Sequence, residues 1–95
     1  MILRSEWDET KNKRNRYKHG IWFEEAQSVF NDVLSRVFHD FEHSDDEDRF
    51  YILGMSSAAR ILVVVHCYRE LNSIIRIISV RKATKSEAKF YEERI

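Results

Sequence analysis

The sequence predicts a single α+β domain over residues 1–95, with two N-terminal helices, a four-stranded antiparallel sheet and a C-terminal helix. Three observations carry this prediction. Before Asp32 the chain has helical caps and spacing. After it, apolar residues gather in short runs rich in branched and aromatic side chains, and the linkers between those runs are too short for helical crossovers. A chain of 95 residues can bury one modest core.

The first helix is expected over about Glu9 to His19. Asp8 supplies an N-cap carboxylate, the last turn is basic, and Gly20 provides the stop. Tyr17 is its only strong apolar residue. Spacing puts Lys11, Arg14 and Lys18 on one stripe and Asn12, Asn15 and His19 on the next, so this helix presents polar surface more than it builds core. Phe23 to Asn31 places Phe23, Ala26, Val29 and Phe30 on one face, which makes it a short amphipathic helix that packs inward.

Val37 to Phe41 alternates apolar and polar groups, Phe50 to Met55 follows an acidic loop, and Arg60 to Tyr68 is apolar on both faces. Each reads as a strand, the third as the central one. Ile74 to Arg81 closes the meander. Thr84-Lys85-Ser86-Glu87 matches a capping box, so a final helix starts there, seated on the sheet by Ala88, Tyr91 and Ile95.

Sixteen basic residues balance sixteen acidic ones, but the charges are segregated. Lys11, Lys13, Arg14, Arg16 and Lys18 form a run without an acid. Asp40, Glu42, Asp45, Asp46, Glu47 and Asp48 concentrate negative charge. A neutral total can therefore carry a basic face that steers an anionic ligand. Cys67 is the only cysteine, which rules out a disulfide framework and a cysteine zinc cluster. No apolar stretch reaches membrane-span length and the start lacks a signal-peptide core, so a cytoplasmic protein without a membrane partner is the expectation.

The segment Ile74 to Thr84 sets Arg76 and Arg81 among isoleucines and valines. An arginine in such a run is retained mainly where an anion meets it. His66 ends the most hydrophobic strand and is either a hydrogen-bonded core histidine or a functional group. His19 sits at a helix C-terminus, where it also stabilises the dipole. His39 reads as part of a solvated strand face and His43 as a surface residue beside acids. No metal cluster, cofactor motif, carboxylate pair or catalytic serine motif is visible. With only Gly20 and Gly54, a phosphate-cradling glycine loop is excluded.

Metal-free RNA cleavage needs one group to accept the ribose 2′-hydroxyl proton, another to donate to the leaving oxygen, and cations around the phosphorane. His66, His19, Arg76 and Arg81 supply catalytic residue types, while Lys11, Arg14, Lys18 and Lys82 supply phosphate contacts. Strict alternation puts Arg76 and Arg81 on opposite faces, so a shared site needs a bulge, or Arg81 lying past the strand end. The alternative is that both arginines pair with the acidic loop.

Trp7-Asp8, Lys11-Asn12, Asn15, Lys18-His19-Gly20, Phe23-Glu24-Glu25-Ala26, Val29-Phe30, His43-Ser44, Arg49-Phe50, Gly54, Leu62 to His66 and Arg76 to Thr84 form an ordered series. Together they resemble the BrnT toxins of bacterial type II toxin-antitoxin systems, almost end to end. The resemblance implies a RelE-like α+β fold and a ribonuclease that stops translation. It also implies a neighbouring BrnA-like ribbon-helix-helix antitoxin, with operator DNA engaged only through the complex. Two positions depart from the family. Trp22 stands where many relatives carry a small polar cap, and is read as an exposed or partner-facing aromatic; the hairpin Arg69 to Ser73 lacks a glycine-aspartate turn. The alternative function is a catalytically inactive binding module that helps its antitoxin repress transcription.

Overall fold

The computed structural model describes residues 4–45 and 47–93. In chain order the elements are β1 (Arg4–Glu6), α1 (Glu9–His19), α2 (Phe23–Val29), β2 (Arg36–His39), a 3-10 turn (Phe41–His43), β3 (Phe50–Met55), β4 (Ile61–Arg69), β5 (Ile74–Lys82) and α3 (Lys85–Glu92). They form one sheet in the order β1-β5-β4-β3-β2. The expected four-stranded antiparallel sheet is thus corrected to a five-stranded mixed one. A strand precedes the helices, and it pairs parallel to β5 through Arg4↔Ile74, Ser5↔Ile75 and Glu6↔Arg76. Polar three-residue β1 has no alternation of its own to betray it; partner and ion pair make it a strand. The expected meander survives as β2 to β5, with β4 central.

Each helix boundary has a local cause. Asp8 accepts the backbone N–H groups of Thr10 and Lys11, and Gly20 closes α1 in the left-handed region at φ 75°. Trp22 opens α2 without a side-chain cap. Thr84 and Glu87 form the reciprocal capping box of α3. Ile95, expected to help seat this helix, lies outside the described residues. Among those described, no helix is long and apolar enough to cross a membrane.

The main core lies between the first two helices and the sheet, where Ile21, Phe23, Ala26 and Val29 pack on Ile52, Leu62, Val64, Ile75, Ile77 and Val80. Burying one such side chain stabilises the fold by about 1.5–3 kcal/mol. Helix α1 has almost no apolar face and docks through two buried asparagines. Asn12 accepts Phe23 N–H at 2.7 Å and donates to Glu9 and Glu24. Asn15 bonds both the N–H and the C=O of Val80, at 3.0 Å each, and donates to Ile21 O. It therefore completes the outer edge of β5 beyond the stretch that β1 covers.

On the opposite face a smaller cluster of Leu53, Val63 and Tyr91 seats α3. The Tyr91 hydroxyl donates to Asp32, which also accepts the Met55 and Leu34 backbone N–H groups. Coverage there is partial, and the rest of this face stays open. The β4–β5 hairpin turns without glycine. Glu70, Leu71 and Asn72 all lie at positive φ, and Ser73 N–H closes the turn on Arg69 O at 3.1 Å. Left-handed backbone costs a non-glycine residue about 1 kcal/mol or more.

Candidate functional site

A bulge decides which side chains meet. Val65 pairs with Ser79, but the next residue, His66, pairs with Ile77, so Ile78 is an extra residue in β5. Arg76 then lies opposite Cys67 and Arg81 opposite Val63, four residues apart on β4 and therefore on the same face. Both arginines point away from the α1 and α2 layer. His66 points into it.

The open face holds a concavity of about 610 Å³ between the turn after β2, the middle strands and the start of α3. His43, Arg49, Tyr51, Ser79, Arg81 and Glu87 line it. Arg81 donates from Nη1 and Nη2 to the two oxygens of Glu87, at 2.8 and 3.0 Å, and from Nη1 to Lys82 O at 3.3 Å. This leaves Nε–H and the second Nη2 hydrogen without a partner among the described residues. The Arg81 bond, helped by Thr84 N–H and opposed by burial, pulls the Glu87 carboxyl down to about 2. In return the Arg81 guanidinium rises above its usual range.

The rim is built by a clasped loop. Asp40 N–H donates to Arg49 O at 2.8 Å, Arg49 N–H to Ser44 Oγ at 3.0 Å, and Ser44 Oγ–H to Asp40 O at 2.6 Å. The 3-10 turn inside that clasp presents His43, whose Nδ1 lies 3.0 Å from Asp40 Oδ2. In the tautomer that donates Nδ1–H to the carboxylate, Nε2 is the nitrogen free to accept a proton, and the side chain is 63% exposed. Among the described residues the Arg49 guanidinium has no ion-pair partner, while Glu42 adds one more carboxylate to the lining.

The other residues singled out from sequence fall elsewhere. His66 is 0% exposed and set among Phe30, Phe50 and Tyr68, with Nδ1 3.1 Å from Val64 O and Nε2 3.2 Å from the Tyr68 hydroxyl. Burial pulls its pKa below the usual histidine value, so the ring is neutral and serves the core. The structure does not bring it to Arg81, because the two lie on opposite faces of the sheet. Arg76 bonds Glu6 at 2.9 Å, in a cluster where Arg69 reaches Glu6 and Glu47 and Cys67 donates toward Glu47. Burial, and after it the Glu47 carboxylate, push the Cys67 thiol up against the opposing charges of Arg69 and Arg76. His19 ends α1 half-buried, and Lys11, Arg14 and Lys18 are exposed on the same helix; none lines the concavity. Lys82 is exposed on the helix-layer side, where its charge helps the Arg60 ion pair hold Glu25 down. Trp22 is 44% exposed, with the Arg16 guanidinium 5.7 Å from its ring centre.

Sequence reasoning passed over His43, Asp40, Arg49 and Tyr51. A usable signal was present: Asp40 and His43 are three residues apart, followed by Ser44 and then by an isolated arginine before β3. Among the described residues no group of three or more His, Cys, Asp or Glu side chains is placed to hold a metal ion.

The sequence model of the family described as the ribonuclease toxin BrnT of type II toxin-antitoxin systems matches residues 7–87. Among solved structures, the Brucella abortus ribonuclease toxin BrnT superposes with a TM-score of 0.68, covering 88% of this chain and 100% of that one at 23% identity. That likeness shows the fold. No curated protein matches.

Proposed function

The chain belongs to the BrnT family of ribonuclease toxins of type II toxin-antitoxin systems, and from that premise we propose that it cuts RNA by metal-free transesterification and so stops translation in the cytoplasm. The observation that carries this reading is the shared concavity of the His43–Asp40 pair, Arg49 and Arg81. His43 Nε2 takes the proton of a ribose 2′-hydroxyl, and Asp40 holds the resulting imidazolium. The 2′-oxygen attacks the adjacent phosphorus, while the remaining N–H donors of Arg81 and those of Arg49 receive the negative charge of the phosphorane. The 5′-oxygen leaves and takes a proton from solvent, which the open site admits. The products are a 2′,3′-cyclic phosphate and a 5′-hydroxyl. Exposed Lys11, Arg14 and Lys18 add phosphate contacts at a distance from the cut.

The partner in this reading is a BrnA-like ribbon-helix-helix antitoxin that blocks the toxin and carries the complex to operator DNA. Trp22 and the basic stripe of α1 suit an acidic amphipathic segment from it. To test the chemistry, the purified chain is incubated in EDTA with an oligoribonucleotide and with its 2′-deoxy counterpart. The expected outcome is cyclic-phosphate ends from the first and no cut in the second. Cleavage that needs magnesium, or that proceeds equally on DNA, overturns the mechanism.

One observation favours a second reading, a catalytically inactive module. Arg76 and Arg81 both carry carboxylate partners already. A chain that binds its antitoxin tightly but leaves RNA intact belongs to that class.

A further inference from the structure

We propose that Phe41 is a stacking platform for a nucleobase of the RNA strand in the concavity, which makes it a substrate-positioning residue; this rests on the ribonuclease reading above. Phe41 is 84% exposed. Of the large apolar side chains exposed among the described residues, it alone lines the concavity. Leaving a phenyl ring in water forgoes about 1.5–3 kcal/mol of burial.

Among the described residues the ring makes one aromatic contact, and most of it is open to solvent. Its centre lies 4.3 Å from the His39 ring in an edge arrangement, and His39 in turn rests against Phe50 at 5.2 Å and lies 3.1 Å from Asp48 through Nε2. The clasp from Asp40 to Arg49 fixes the short turn that carries it. Phe41 is therefore pre-positioned, so little ordering is needed when a flat ligand lands on it.

What lies around it selects the ligand. The same hollow offers guanidinium N–H donors from Arg49 and Arg81, and two of its carboxylates, Asp40 and Glu87, are already engaged by His43 and Arg81. A planar apolar face beside donors for an anion matches a nucleotide, with its base on Phe41 and its phosphate at the arginines. Stacking tolerates any base, so the contact sets the register of the strand more than its sequence.

The test uses the full chain without its antitoxin and measures binding to a short single-stranded 2′-O-methyl oligoribonucleotide, which cannot be cut, alongside cleavage of the unmodified strand. Phe41→Ala should weaken binding about 5- to 100-fold, the range that loss of one stacked base gives. Phe41→Leu should weaken it nearly as much, whereas Phe41→Trp should keep or raise affinity. Because the ring is exposed, all three variants should keep the parent's circular dichroism. If the parent binds and cuts RNA and Phe41→Ala or Phe41→Leu binds as tightly, the platform is refuted while the ribonuclease reading stands. If Phe41→Ala keeps its RNA affinity but loses co-purification with the antitoxin, the ring is a protein contact and the proposal is likewise overturned. A parent that neither binds nor cuts RNA removes both readings together.

Discussion

Arg81 and Glu87 face each other through two parallel hydrogen bonds of 2.8 and 3.0 Å, and the same carboxylate accepts Thr84 N–H at 2.8 Å. One side chain thus caps α3 and fixes the plane of the guanidinium that faces the concavity. Helix start and site geometry are one contact.

Glu87→Ala should destabilise the chain by about 1–2 kcal/mol at pH 7, combining a lost cap with a partly exposed ion pair. The effect has a defined pH window. Folding lowers the Glu87 pKa from 4.5 to about 2, so the unfolded chain holds the proton more tightly. The stabilisation is fully present above about 4.5 and is lost as the pH falls through about 2. Urea unfolding of parent and variant at pH 7 and in strong acid should show the difference shrink; a constant difference would remove the ion pair as its cause.

His66 gives a prediction of the opposite kind. Truncating a fully buried ring among three aromatics should cost about 2–4 kcal/mol, through the cavity and the stranded Tyr68 hydroxyl. His66→Ala should therefore lower the unfolding midpoint sharply, while the cleavage rate per folded molecule stays within a few-fold of the parent. Folding also depresses the His66 pKa below 6.5, so the unfolded state takes up a proton first as the pH drops. This contribution is present above 6.5 and is lost as the pH falls toward the folded value. A rate loss of a hundredfold in a variant shown to be folded would return His66 to the chemistry.

Helix α1, the capping box of α3 and the central strand were legible because each rests on neighbours in sequence: Asp8 and Gly20, Thr84 and Glu87, an unbroken apolar run. What could not be read was set by pairing at a distance. The register that expels Ile78 belongs to β4 and β5 jointly, and without it Arg76 and Arg81 separate. β1 exists because Ile74 to Arg76 offers an edge and Glu6 meets Arg76. The same holds for the site. The sequence left His66 open between core and function, because polarity at the end of an apolar strand is ambiguous until its partners are known, whereas His43 read as a surface residue because its acidic neighbours concealed one specific partner, Asp40.

Asn15 carries more of the fold than a polar helix residue suggests. Asn15→Ala would leave the Val80 N–H and C=O and the Ile21 C=O without their bonds, all in buried surroundings. A loss of about 2–4 kcal/mol is expected, summing unsatisfied groups at about 1 kcal/mol or more each. Asn15→Asp should also fail, because a carboxylate cannot donate to the two carbonyls. Chemical denaturation of both variants checks this; near-parental stability for either would mean that α1 is held by other contacts.

The triple replacement of Lys11, Arg14 and Lys18 by alanine should act on affinity and leave the chemical step alone. These groups are exposed on α1 and none lines the concavity. If each neutralises one phosphate, the slope of log affinity against log salt should become shallower by about 2 for a single strand. The rate at saturating RNA should hold. An unchanged salt slope would take these residues out of RNA binding.

The sharpest contrast sets His43 and Arg81 against Arg76. His43→Ala removes the proposed proton acceptor and should lower the cleavage rate by about two to four orders of magnitude. Asp40→Asn keeps a neighbour but not its charge, and should fall between that variant and the parent. Arg81→Ala removes donors to the phosphorane and should cost about two to three orders of magnitude. Arg81→Lys should recover little, because an ammonium cannot bind Glu87 with two parallel bonds and still present an oriented second edge. Arg76 shares the face but sits in its own cluster with Glu6 and Arg69, so Arg76→Ala should act mainly on stability, by leaving Glu6 at the end of β1 with only the longer contact to Arg69. Single-turnover cleavage, with circular dichroism and antitoxin binding as folding controls, separates these outcomes. If folded Arg76→Ala is as crippled as His43→Ala, the reacting phosphate lies nearer the Glu6 cluster than the concavity, and the assigned site must move along the sheet toward Cys67.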